Sequence, residues 1–202
     1  MSTNRLESFS DGVIAVAITL LVLNIRVPVP GAASLAHDLG HQWPAYAAYA
    51  TSFITIGIIW INHHVMIARL ARTDHSILIL NLVLLLTIGL LPFATDLMAQ
   101  YLNGSHGQHL AAAVYGGAFL LMAIAFFALN CFILLRKGHM LRVDLSMEAR
   151  WRILARGFTG IPPYVIATAI APVSQYATMA ICAGIALFYA LPIASGVNQT
   201  TA

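Results

Sequence analysis

Charged side chains are scarce. Asp, Glu, Lys and Arg make up 8% of the 202 residues, against about 25% in a soluble globular domain. That shortage excludes a soluble fold, and 60% hydrophobic residues with a mean hydropathy of +0.84 place the chain in a membrane. Acids are scarcer than bases, leaving a net charge of +3. The arginines sit in loops, so they report orientation and not nucleic-acid binding. The two cysteines, Cys131 and Cys182, fall inside apolar runs near opposite faces of the membrane, which excludes a disulfide framework. There is no HExxH, Walker, GxSxG or strand-following GxGxxG pattern, so membrane protease, ATP-driven pump and lipase chemistry are unsupported and no enzyme is expected. A TVGYG-like loop is also missing, which excludes a filter of that kind. Asp11 interrupts what would be the apolar core of a leader, so a cleaved signal peptide is not expected.

What is present is apolar runs. Hydropathy marks six spans, approximately 5 to 26, 44 to 68, 76 to 98, 108 to 135, 154 to 174 and 177 to 194, each close to the roughly 20 residues a bilayer requires. The expected fold is an all-α integral membrane protein, one six-helix transmembrane domain over residues 1–202. Arg5, Arg69, Arg72, Arg136, Lys137, Arg142, Arg150, Arg152 and Arg156 fall on one side and only Arg26 on the other, so both termini are expected in the cytoplasm. The stretch Val27 to Trp43 has the composition of a short outer helix. Between spans four and five, Arg136 to Arg156 holds six of the ten basic residues. It reads either as a topology-setting loop or as an amphipathic helix on the inner leaflet. Pro162-Pro163 should kink or shorten the fifth span.

The first span, RLESFSDGVIAVAITLLVLNI from Arg5 to Ile25, has unusual polarity at membrane depth. An ionisable residue there is a functional-site hypothesis by default. At 100° per residue Val16, Thr19, Leu20 and Leu23 form one stripe suited to lining a path, while Asp11 points about 140° away from Val16. An ordinary buried span or signal anchor is the alternative. Arg5, Ser10 and Asp11 lie at the same depth as Trp60, Asn62, His63, His64 and Asn81. A carboxylate in hydrocarbon costs about 2.5–3.5 kcal/mol on insertion scales, so Arg5 and Asp11 are expected to find partners among Trp60, His63 or His64, and Asn81. A proton relay through Asp11 stays open as a second use. Adjacent His63 and His64 diverge by about 100° on a helix and cannot chelate one metal as an i, i+4 pair does, so no metal and no cofactor are expected.

Arg5-Leu6-Glu7-Ser8-Phe9-Ser10-Asp11 fits an RxxxFSD motif. Trp60, Asn62, His63 and His64 follow in the second span, then Asn81 and Leu91-Pro92-Phe93-Ala94-Thr95 in the third. With these pieces in order, the chain resembles bacterial members of the transmembrane protein 175 family of endo-lysosomal potassium channels. The resemblance implies a homotetramer in which the first helix of each subunit surrounds a central pore. It also implies a motif, including Phe9, that braces the pore helix without touching the ion. The family places a bulky aliphatic residue five positions beyond the motif aspartate, where this chain has Val16, and Thr19 matches a threonine tied to selectivity. Six helices are too few for one subunit to enclose a pore with the Val16 stripe, so several copies are needed. The expected function is a potassium channel, modestly selective over sodium, whose apolar constriction makes ions shed water that Thr19 hydroxyls partly replace. Potassium is then permeant and not cofactor, and the expected partners are further copies of the chain, monovalent cations and the lipid of a bacterial plasma membrane, with no nucleic acid. The rivals are a proton-coupled secondary transporter using Asp11 and the membrane histidines, and a non-conducting scaffold.

Overall fold

The computed structural model describes residues 3–29, 34–104 and 106–191. Among them the fold is helical throughout, and no strand forms beyond one isolated bridge. α1 (Thr3–Leu20) tightens into a 3₁₀ turn, Leu21–Asn24. The outer connection carries α2 (Leu35–His41), whose first turn is capped by the Ser34 hydroxyl accepting from His37 N. α3 (Trp43–Ala68) follows, then α4 (His75–Gly89) and α5 (Leu91–Tyr101), α6 (Gln108–Cys131), α7 (Met147–Phe158), α8 (Ile161–Ile170) and α9 (Gln175–Ala190). Five helical stretches are long and apolar enough to cross a membrane: Thr3–Asn24, Trp43–Ala68, His75–Tyr101, Gln108–Arg136 and Met147–Ile170. A sixth, Gln175–Ala190, is apolar but shorter. The last residues expected in the sixth span, 192–194, lie outside the described residues.

Two stretches are broken by proline in ways that differ from a simple kink. In the third, α4 ends at Gly89 and α5 restarts at Leu91 with Pro92 in its first turn. Proline there cannot donate to Ile88 and its ring crowds that carbonyl, so the ladder stops and resumes with Ala94 N donating to Leu90 O. Asn24 reaches the joint, its Nδ2 donating to Pro92 O at 3.4 Å. In the fifth, Pro162 and Pro163 stand in the first turn of α8, where the amides have no helical acceptor in any case. They therefore remove no helical hydrogen bond. The Thr159-Gly160 joint divides the stretch into two helices, where the sequence suggested a kink or a shortened span.

The centre is held by aromatic packing and close approach. Tyr115 and Phe119 of α6 are fully buried, and Phe119 stacks on Tyr164 of α8 with ring centroids 5.7 Å apart. Gly116 admits α8 against α6, since a Cβ there would sit 3.0 Å from Thr168 Oγ1 and 3.2 Å from its Cα. A buried hydroxyl relay crosses three helices. Thr95 donates to Leu91 O, so its oxygen accepts from Ser52, which in turn accepts from Tyr115.

The basic segment is only partly helical. Its first part is pinned to the turn after α3: Ala71 N donates to Met140 O and Arg142 N to Arg69 O, both at 2.8 Å. Lys137 pairs with Asp74. Arg150 donates to Leu145 O and Leu134 O at 3.0 and 3.1 Å. Its guanidinium lies where a Cβ on Gly138 would stand, so only glycine fits there. The helical part, α7, is two-sided. Met147, Trp151, Leu154 and Phe158 share one face, and Glu148, Arg152 and Arg156 the other.

Candidate functional site

Glu7, Ser10 and Asp11 of α1 fall at i, i+3 and i+4, so they share one face, with the apolar Ile14 continuing it at i+7. Trp60, His63 and His64 do the same on α3. α1 and α3 run antiparallel, and the two faces meet as a ladder. Glu7 Oε1 lies 2.7 Å from His64 Nδ1. One turn further along α1, and one turn back along α3, Trp60 Nε1 donates to Asp11 Oδ1 at 2.9 Å.

Between these rungs and α4 lies a buried chain whose directions follow from one hydroxyl. Ser10 spends its single hydrogen on Leu6 O at 2.8 Å. Its oxygen must then accept, and it does so from Asn81 Nδ2 at 2.9 Å. Asn81 therefore turns its carbonyl to His63, whose Nε2 donates to Oδ1 at 2.8 Å. All three residues are fully buried. His63 Nδ1 is left without a hydrogen-bond partner among the described residues. The two histidines point apart, one into the subunit and one to the Glu7 rim.

Several sequence-picked residues stand elsewhere. Arg5 is exposed and makes no ion pair among the described residues, so Asp11 is answered by Trp60 and not by Arg5. The Arg5 side chain, three residues before Ser8 on the open side of the helix, is too far round to reach the ladder. Asn62 is also outside it, since its Nδ2 donates back to Ile58 O on its own helix. Phe9 is exposed. Glu7, by contrast, was not singled out for the network; its spacing to Ser10, Asp11 and Ile14 was the available signal.

The opposite face of α1 is apolar and uncovered within the subunit. Val16 is 58% exposed, Leu23 71%, and Phe9, Gly12, Thr19 and Leu20 share that exposure. A shallow open groove runs along it, walled by Phe9, Val13, Val16 and Leu20 and ending at Gly89. Thr19 donates its hydroxyl hydrogen to Val16 O at 2.8 Å. Its oxygen lone pairs are thereby left facing outward, the arrangement that suits a cation and not an anion. Ile14 and Leu21, on the other side, are buried at 1% and 0%.

Apolar helices of spanning length, joined by a polar chain of Ser10, Asn81 and His63 buried inside the subunit, define an all-α multi-pass membrane protein. A family model described as endosomal/lysosomal potassium channel TMEM175 matches residues 5–92, the part that contains the ladder, the buried chain and the α4–α5 joint. A potassium channel of Streptomyces collinus is 44% identical over 191 residues, covering 93% of this chain and 91% of its own. The crystal structure of a lysosomal potassium-selective channel TMEM175 homolog from Chamaesiphon minutus matches with a TM-score of 0.82 at 36% identity, covering 93% of this chain and 96% of that one. The endosomal/lysosomal proton channel TMEM175 of Gallus gallus is 37% identical over 117 residues, 54% of this chain but 23% of its own length. The chain belongs to the TMEM175 family. That is a family of ion channels, not of enzymes.

Proposed function

We propose that the chain is a potassium channel, modestly selective over sodium, in which four copies place α1 around a common axis and ions pass a constriction of Val16, Thr19, Leu20 and Leu23. The observation that carries this reading is the asymmetry of α1. Its two acids are turned to α3, with Asn81 of α4 completing the buried chain, and a continuous apolar face is left for something outside the subunit. Rings of Val16 and Leu23 are apolar enough to exclude liquid water when narrow, so passage requires partial dehydration. Potassium gives up its water more readily than sodium, and the outward oxygen of Thr19 replaces part of what is lost. The names of the full-length bacterial relatives support potassium as the permeant ion. No cofactor is called for. The arginine distribution supports cytoplasmic termini in a bacterial plasma membrane.

The proton-coupled transporter asks Asp11 and the histidines to share one aqueous path. The arrangement runs against it: Asp11 is engaged by Trp60, His63 is sealed beneath Asn81, and His64 lies at the Glu7 rim. The test is the reversal potential with potassium and sodium on opposite sides of a bilayer holding the purified protein. Val16→Asn should let water and sodium in and move the reversal potential toward zero. Thr19→Ala should keep conduction and weaken the preference for potassium. If both substitutions left it unchanged, α1 would not line the selective part of the pore.

A further inference from the structure

Far from α1, the α8–α9 hairpin holds a second open groove. α8 and α9 run antiparallel, tied at one end by Thr178 Oγ1 donating to Ala167 O at 2.9 Å and at the other by the Thr159 and Tyr189 hydroxyls, 2.7 Å apart. Between the ties lies a groove of about 320 Å³ walled by Pro163, Ile181, Gly184, Ile185 and Phe188. Its lining is nearly all carbon. Gly184 opens it, because a Cβ there would meet nothing within 4 Å.

The head of the groove is polar and then basic. Thr159 donates to Arg156 O at 2.7 Å, which seats the α7 terminus over the opening. Arg152, Arg156 and Thr159 follow at i, i+4 and i+7, so both guanidiniums leave the helix on the side of the groove head. Both are exposed. Arg152 has only a 3.9 Å approach to the exposed Glu148, and Arg156 has no acidic partner among the described residues. The order along the chain also fits. The basic end of α7 precedes the Thr159-Gly160 joint and the apolar α8 (Ile161–Ile170) follows it, so the groove runs from the basic end into apolar surroundings.

We propose that this groove seats one acyl chain of an anionic phospholipid whose phosphate is held by Arg156 and Arg152. An apolar slot that opens at headgroup level accepts a chain of any lipid. The two guanidiniums, one with no acidic partner among the described residues and one held only by the long Glu148 approach, add charge-assisted hydrogen bonds to a phosphate and favour a headgroup that carries net negative charge. The exposed aromatics Trp151 and Phe158, on the other face of α7, sit at the same level, where such side chains anchor a helix in the interface.

The experiment is native mass spectrometry of the purified full-length protein with phosphatidylglycerol or phosphatidylcholine of matched chains. Wild type should retain phosphatidylglycerol roughly tenfold more strongly. Arg152→Gln with Arg156→Gln should bring it down to the phosphatidylcholine level. Gly184→Leu, whose Cβ meets nothing within 4 Å and whose side chain occupies the slot, improves helix propensity and should weaken both lipids alike and leave the number of subunits unchanged. Equal retention of the two lipids by wild type would overturn the proposal, as would a preference that survives loss of both arginines or a Gly184→Leu protein that binds normally. A change of subunit number in Gly184→Leu would make the groove a seam between copies and overturn it equally. Lipid retention and mass are read without ion flux, so the result is independent of the pore reading.

Discussion

Along the inward side of α1, Glu7, Ser10 and Asp11 each meet a partner on α3 or α4, whereas along the outward side Phe9, Gly12, Val16 and Leu20 are left exposed by the rest of the subunit. The difference reverses the arrangement of a soluble amphipathic helix, whose polar face turns to water. In a bilayer the outside is as apolar as the core, so hydrogen bonding and not hydrophobicity decides which side turns in. The polar groups must find protein partners, and the apolar side is left free for lipid or for another copy.

The sharpest way to break this comparison is to place the same amide on each side. Ile14→Asn buries an unpaired amide at a site 1% exposed, and with the lost packing it should cost about 3–5 kcal/mol. Val16→Asn should change the stability of the subunit by no more than about 0.5 kcal/mol, as substitutions outside the packed core usually do. Thermal unfolding of the two proteins in the same detergent measures the contrast. Equal destabilisation would mean that the outward face of α1 is packed after all.

Within the inward side, the rungs should rank by burial. Asn81→Ala leaves His63 Nε2 without an acceptor and the Ser10 oxygen without its donor in a fully buried site, at about 1–3 kcal/mol. Trp60→Phe removes a single hydrogen bond at an exposed rung and should cost about 1 kcal/mol. Glu7→Gln, at the rim, should cost less than about 1 kcal/mol. Denaturation of the three proteins gives the order. If Glu7→Gln were the most damaging, the ladder would be organised from its rim and not from Asn81.

Much of this was legible in the sequence because membrane helices have so few polar residues that nearly every one is informative. Depth alone brought Ser10, Asp11, Trp60, His63, His64 and Asn81 together as candidates. Depth did not say which acid meets which partner. Arg5 and Asp11 both read as needing partners among Trp60, the two histidines and Asn81; Asp11 meets Trp60, while the helical angle turns Arg5 outward and puts Glu7 on the ladder. The Ser52–Thr95–Tyr115 relay was hidden for a related reason: serine and threonine in a membrane helix satisfy themselves on the preceding turn, as Thr55 and Thr87 do, so their presence carries little signal. The role of Pro162-Pro163 depended on where α8 begins, since the same two prolines break a helix interior and suit its first turn.

The smallest effect expected lies outside the membrane, at Asp74, and it tests whether the loop joint before α4 is sensitive to acid. One carboxylate oxygen caps α4 by accepting from Ile77 N at 3.0 Å, and the other pairs with Lys137. The hydrogen bond from Lys137, followed by that from Ile77, holds the carboxyl below the usual carboxylate range. A carboxylate whose folded-state pKa is depressed contributes stability that is complete above its unfolded value, about 4, and is lost as pH falls through the lower folded value. Asp74→Asn keeps an acceptor at the cap and removes only the charge, so this mutant should lose that part of the acid dependence and about 0.5 kcal/mol near neutrality. Asp74→Ala loses the cap as well, about 1 kcal/mol more. Unfolding followed from pH 7 down to pH 3 separates the two. Should Asp74→Asn leave the acid limb unchanged, the Asp74–Lys137 pair would not be the contact that acid breaks.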